Sequence, residues 1–157
     1  MLTYRTFRNI DPPKLATIWQ SLEGQPGLAL RVTPELLEQF VFSKLYFDYE
    51  GLFLAIDDDR AVGYAHAGFG ANDEESGVSV ELGTTYTILT RPDCPQWEVA
   101  QGLLERCEAY LRGRGAQVLY AGGIRPLNAF YLGLYGGSEL PGVLASDTLC
   151  QRLYVAN

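Results

Sequence analysis

The 157 residues carry nineteen acidic against twelve basic side chains, a formal charge of −7. That surplus argues against a nucleic-acid partner, because such binding draws on clustered Lys and Arg. An apolar share of 47% with 20% charged residues fits one soluble domain able to bury its own core. No apolar run approaches the roughly 18 residues of a membrane span. Three cysteines without metal-ligand spacing and a single histidine, His66, supply neither a metal site nor a disulfide set. The expectation is a metal-free domain of the reducing cytoplasm, with neither membrane nor nucleic acid as partner.

Leu2 to Arg8 alternates in the manner of a short strand. Asp11-Pro12-Pro13 then offers an N-cap and proline in the first helical positions, before Leu15, Ile18, Trp19 and Leu22 at helical spacing. Gly24 stops that helix. Thr33-Pro34-Glu35 opens a second one carried by Leu36, Leu37, Phe40 and Val41. Gly51 to Ile56 is a continuous apolar run, read as a buried strand. Asp57-Asp58-Asp59-Arg60 turns it, and Ala61 to Phe69 returns as the partner of a hairpin. An acidic loop, Asn72 to Gly77, leads into a third strand from Val78 to Leu89.

Arg91-Pro92-Asp93-Cys94-Pro95 breaks the chain sharply. Val99, Leu103, Leu104, Cys107 and Leu111 then mark the strongest helix, ended by Gly113 and Gly115. Gln117 to Ala121 reads as a strand lying parallel to the previous one through a right-handed crossover. The stretch from Gly122 to Ala145 is rich in glycine and long for a connection, which points to a functional loop. Ser146-Asp147 caps a last helix with Leu149, Cys150, Leu153 and Tyr154 on one face.

This order of elements resembles the GNAT superfamily of acyl-CoA-dependent N-acetyltransferases. Leu52-Phe53-Leu54-Ala55-Ile56, the acidic turn and Ala61-Val62-Gly63-Tyr64 resemble the family's central hairpin. Leu89-Thr90-Arg91-Pro92 is similar to the end of its fourth strand, and Leu103-Leu104 to Arg114-Gly115-Ala116 to its long helix. Asp147, Cys150, Leu153 and Tyr154 fall on its N-x-x-A-x-x-L-Y helix, with Asp for Asn and Cys for Ala. The resemblance implies a mixed α/β fold over residues 1–157. Its sheet is mostly antiparallel, its fourth and fifth strands are parallel, and helices lie on both faces. A full sheet of that family carries two further strands after the last helix. The expectation is that a second domain, or another subunit of a homo-oligomer, covers the fifth strand's edge at Tyr120.

The resemblance also implies chemistry: transfer of an acetyl group from acetyl-CoA to an amine of a small acceptor. The thioester would meet backbone at Leu89 and Thr90. The pyrophosphate would rest on Gln96, Trp97, Glu98, Val99 and Ala100, where free N–H groups and the helix dipole suit an anion. Asp147 joins this cofactor-binding set, and Tyr154 is the acid that protonates the leaving thiolate. Where the family's turn reads R/Q-x-x-G-x-G/A, this chain reads Pro95-Gln96-Trp97-Glu98-Val99-Ala100. Pro95 lacks an N–H, and Glu98 puts a carboxylate where glycine would let backbone approach the phosphates. This degenerate turn supports a second expectation: a non-catalytic binding or scaffolding module of the same fold that has lost acyl-CoA binding.

Thr84 occupies the family's usual general-base position, so Glu81 is the nearest strand carboxylate. An unbulged strand points Glu81 to the face opposite Thr90, and a bulge would re-aim it. His66 is a second candidate base, since its ordinary pKa lies near neutrality; the plainer reading is a packed strand histidine. Arg125, Asn128, Phe130, Tyr131 and Tyr135 either line the acceptor pocket or anchor their glycine-rich loop. The acidic surface suits a cationic acceptor.

Overall fold

The computed structural model describes residues 1–28, 31–123, 127, 130, 131, 134 and 142–157. Strand β1 (Leu2–Thr6) precedes helix α1 (Pro12–Gln20) and helix α2 (Pro34–Leu37), which widens into a π-helical turn at Glu38–Phe42. Strands β2 (Leu52–Asp57), β3 (Arg60–Ala71) and β4 (Val78–Thr90) follow, then α3 (Gln96–Gly113), β5 (Val118–Ala121) and α4 (Thr148–Ala156). The sheet runs β1-β2-β3-β4-β5, antiparallel throughout except for the parallel β4–β5 pair. This is the mixed topology expected from the order of elements.

Each helix buries the face its periodicity marks. Leu15, Ile18 and Trp19 of α1 pack with Leu37, Val41, Leu54 and Tyr64 on one side of the sheet. Val99, Leu103, Cys107 and Leu111 of α3 join Cys150 and Leu153 of α4 on the other. Burying a side chain such as Leu or Ile contributes about 1.5–3 kcal/mol, so these two clusters clamp the sheet from both faces. Gly63 sets how closely α3 lies on β3. A Cβ there would stand 2.8 Å from a Val99 methyl and 3.0 Å from the Leu89 carbonyl oxygen.

Asp147 caps α4 as expected, its Oδ1 accepting from the Cys150 N–H at 3.0 Å. Asp11 heads α1 but does not cap it with its side chain. Its fully buried carboxylate instead takes both Arg5 guanidinium nitrogens at 2.6 and 2.7 Å and the Arg8 N–H at 2.8 Å. Burial alone would raise its pKa. Arg5, the Arg8 N–H and Lys14 outweigh that and hold it below the usual carboxylate range. One residue type serves caps and ion pairs alike, and here the ion pair ties β1 to the start of α1.

Besides a register shift between Phe69 and Ala71, two bulges interrupt the central strands. One lies at Val62, between the Ala55–Gly63 and Ile56–Ala61 pairs. The other lies at Tyr86, between the His66–Thr87 and Ala67–Thr85 pairs. The second bulge builds the site.

Candidate active site

Before the bulge, β4 turns its odd-numbered residues toward β5: Gln117 N–H donates to Glu81 O at 2.8 Å, and Gly122 N–H to Thr85 O at 2.9 Å. After it, an odd residue faces the opposite way, for Arg91 N–H donates to Val62 O of β3 at 2.8 Å. Backbone groups alternate between the two edges of a strand, and one extra residue reverses the alternation. Ile88 and Thr90 therefore turn their N–H and C=O groups away from β3, to the side where β5 has already ended. β5 pairs with β4 only from Leu82 to Thr85. Beyond that point β4 runs on without a partner strand on this side among the described residues.

The gap is a cavity of about 500 Å³. Thr85 to Thr90 form its floor, Gly122 and Gly123 one flank, and Asp147 to Cys150 with Tyr154 the α4 wall. Gln25 to Leu28, from the connection after α1, close the far end with Phe130 and Tyr131. Gly122 is indispensable to this shape. Its φ is +75°, and a Cβ there would stand 2.2 Å from the Gly142 carbonyl oxygen. Gly142 N–H in turn donates to Gly123 O at 2.9 Å, joining the end of β5 to the approach to α4.

Tyr154 reaches the cavity from the second turn of α4, on the wall facing Thr85. Burial is the main reason its pKa rises well above the ordinary tyrosine value, so the phenol stays protonated and available as a donor. Leu89, Thr90, Gln96 and Asp147 border the same space. Gln96 Nε2 donates to Thr90 Oγ1 at 3.2 Å, linking the end of β4 to the start of α3.

The rest of the expected pyrophosphate turn lies differently. Val99 and Ala100 are fully buried against the sheet. Trp97 and Glu98 are exposed on the first turn of α3, outside the cavity wall. The Arg152 guanidinium sits 5.3 Å from the Trp97 ring centre, and the Glu98 carbonyl accepts from the Tyr4 hydroxyl at 3.1 Å. Pro95 heads the helix without a side-chain cap, so the first-turn N–H groups have no acceptor within the helix.

Glu81 is exposed on β4, four residues before the first cavity residue and hence about 13 Å along the strand. The Tyr86 bulge gives it the same face as Thr90, but at that distance. Thr84 is buried, its hydroxyl donating to Gly122 O at 2.9 Å. Arg125, Asn128 and Tyr135 lie outside the described residues. Phe130 and Tyr131 are each 2% exposed and face the cavity.

Tyr131 holds a left-handed φ of +63°, a conformation that costs a bulky residue about 1–3 kcal/mol. Its hydroxyl lies 3.0 Å from His66 Nδ1. His66 is fully buried, and burial lowers its pKa to about 3, so the imidazole is neutral at physiological pH. A ring that resists protonation this strongly is a hydrogen-bonding partner and a poor general base.

Nothing in the residue pattern marks Thr85, the Tyr86 bulge or the Gln25–Leu28 connection as parts of the site. A bulge adds a residue without a compositional mark. Gln25-Pro26-Gly27 reads only as a turn. Among the described residues no group of three His, Cys, Asp or Glu gathers to hold a metal ion. No described helix is long and apolar enough to cross a membrane.

No protein-family model matches the chain, and no curated protein matches it. Solved structures do. The N-acetylglutamate synthase from Neisseria gonorrhoeae, complexed with coenzyme A and N-acetyl-glutamate, is similar over 76% of this chain, with TM-score 0.55 and 19% identity. The chain spans only 24% of that protein. The ribosomal-protein-S18-alanine N-acetyltransferase from Escherichia coli matches 86% of this chain and 74% of its own, with TM-score 0.57 and 19% identity. A GNAT family acetyltransferase from Brucella melitensis, in complex with acetyl-CoA, matches 93% of this chain and 97% of its own, with TM-score 0.61 and 14% identity. Together with the mostly antiparallel sheet and its parallel β4–β5 pair, these likenesses establish that the chain has the fold of the GNAT N-acetyltransferases.

Proposed function

We propose that this protein is an acyl-CoA-dependent N-acetyltransferase acting on a small amine in the cytoplasm, with acetyl-CoA entering between β4 and β5. The observation that carries the reading is the Tyr86 bulge, which turns the Ile88 and Thr90 N–H groups into a cavity faced by a protonated tyrosine. Three neighbours of this fold are described in complex with coenzyme A or acetyl-CoA. The residues fit such a cosubstrate at its reactive end: backbone donors along one strand edge and room for a pantetheine-sized chain.

Acetyl-CoA, when bound, supplies an activated acetyl group and a thiolate leaving group. The Thr90 N–H donates to the carbonyl oxygen as negative charge develops there, and such a donor acts most strongly in a cavity shielded from water; the Ile88 N–H, about 7 Å away along the same strand edge, faces the chain that carries the thioester. The acceptor nitrogen bonds to the carbonyl carbon as the carbon–sulfur bond breaks. Tyr154 gives its proton to the sulfur and regains one from solvent, while the nitrogen loses its extra proton to water. The uncapped first turn of α3 supports a place for the diphosphate.

Glu98 favours a second reading, a non-catalytic binding module of the same fold. An exposed carboxylate on that turn repels a diphosphate, by about 1 kcal/mol at 4 Å even in water. Release of CoA thiol across a panel of small amines tests the enzyme reading, and turnover with at least one amine is the expected result. Glu98→Gly should tighten acetyl-CoA binding several-fold. Unchanged affinity in that variant would place the diphosphate elsewhere.

A further inference from the structure

We infer that the protein holds a second ligand site, at the end of the sheet where β2 begins, in which the His66 imidazole is the inner hydrogen-bonding group for one small, uncharged aromatic alcohol. The site stands apart from the acyl-transfer reading. Strand β2 begins at Leu52, opposite His66, while β3 runs on through Ala67, Gly68 and Phe69. The segment before β2 swings round the end of the sheet to α3. There Asp48 Oδ2 accepts from the Tyr110 hydroxyl at 2.9 Å and from the Arg114 guanidinium at 2.8 Å. A cavity of about 180 Å³ opens beside this joint. Buried His66 and Gly68 border it, and Tyr46, Val78 and Val80, each more than two-fifths exposed, form its rim.

The imidazole is fixed on its other sides. Nδ1 lies 3.0 Å from the Tyr131 hydroxyl, and Phe47, Tyr86 and Phe130 surround the ring at 5.5, 5.2 and 4.6 Å between centroids. Nε2 has no hydrogen-bond partner among the described residues. His66 is 1% exposed and its ring contacts are aromatic, so a polar group that meets Nε2 comes through the cavity.

The lining sets the chemistry of the ligand. A neutral imidazole has one donor and one acceptor nitrogen, and burial keeps this one neutral. Whichever role Nδ1 takes toward Tyr131, Nε2 takes the other. A hydroxyl can donate or accept and so answers both cases, whereas an ammonium only donates and a carboxylate only accepts. Asp48 and Arg114, the charged residues among the described lining, are paired with each other, so a charged ligand would enter without a counter-ion. Phe69, Tyr110 and Phe130 supply aromatic wall. A space of about 150 Å³ takes one benzene ring, so this cavity suits a single ring with its hydroxyl.

Phenol is the probe. His66 is the one histidine of the chain, so its ring nitrogens give unambiguous signals in nitrogen-15-labelled protein. Titration with phenol should move the Nε2 resonance saturably and shift the backbone amides of Gly68 and Phe69, while those of Leu89 and Thr90 in the larger cavity stay in place. His66→Leu should weaken phenol about tenfold, the worth of one hydrogen bond, and leave the affinity of toluene unchanged. An unmoved Nε2 resonance at saturating phenol, shifts confined to Leu89 and Thr90, or equal phenol affinity in wild-type protein and His66→Leu each overturns the inference. Equal weakening of phenol and toluene in that variant would mark a collapsed cavity and overturn the role of Nε2. None of these readings involves acetyl-CoA, so this site and the acyl-transfer reading stand or fall separately.

Discussion

Tyr154 is half-buried and His66 fully buried, and loss of water moves them in opposite chemical directions. Desolvation disfavours the charged form of each, so the phenol keeps its proton and the imidazole declines one. Tyr154→Phe should lower turnover by about 10²–10⁴-fold with acetyl-CoA affinity nearly intact, as loss of a general acid does; equal rates would reduce Tyr154 to a packing residue. For His66 the consequence is a stability that depends on pH. The unfolded chain binds a proton near pH 6.5, whereas the folded one resists it down to about 3. Stability is thus full above pH 6.5 and falls as pH drops below it, by about 2 kcal/mol between pH 7 and pH 5 from this group alone. Urea midpoints of the wild-type protein and His66→Gln should converge at pH 5 relative to pH 7. A gap that stays constant would show that His66 titrates normally.

At the scale of elements, the patterning of the chain located the α-helices and strands among the described residues, because each buries the face its apolar spacing defines, but not the short 3-10 helix at Tyr49–Gly51, whose last residue reads as strand. Leu15, Ile18 and Trp19, or Val99, Leu103 and Cys107, have no other way to leave water. The site was less legible. Asp147, Leu89, Thr90 and Tyr154 border the cavity, but the feature that makes Thr90 face it is one unpaired residue, Tyr86. Strand propensity reads Thr-Tyr-Thr the same way with or without a bulge. Glu81 shows the same limit from the other side: parity along the strand was open, and the distance along it separates Glu81 from the cavity. The joint between β5 and the approach to α4 offers a direct check. Gly122→Ala combines a left-handed φ with a clash against the Gly142 backbone, so it should cost at least about 2 kcal/mol and weaken ligand binding in the cavity. A variant with wild-type stability in a thermal melt would contradict the close approach of these two segments.

For the whole molecule, the two core clusters hold a sheet whose last described strand is short and one-sided. Among the described residues β5 pairs with β4 alone, and Val118 and Tyr120 are 45% and 37% exposed on it. An open strand edge flanked by apolar side chains is a template for pairing. We propose that a second copy of the chain covers it, and light scattering at micromolar concentration should report a dimer; a monomer mass would remove that proposal. The account's central claim concerns the other end of β4, where the bulge, the stretch of β4 beyond β5 and Tyr154 converge. Calorimetric titration of the wild-type protein with acetyl-CoA tests it most directly. The account predicts saturable one-to-one binding, and the absence of heat at millimolar acetyl-CoA would contradict it.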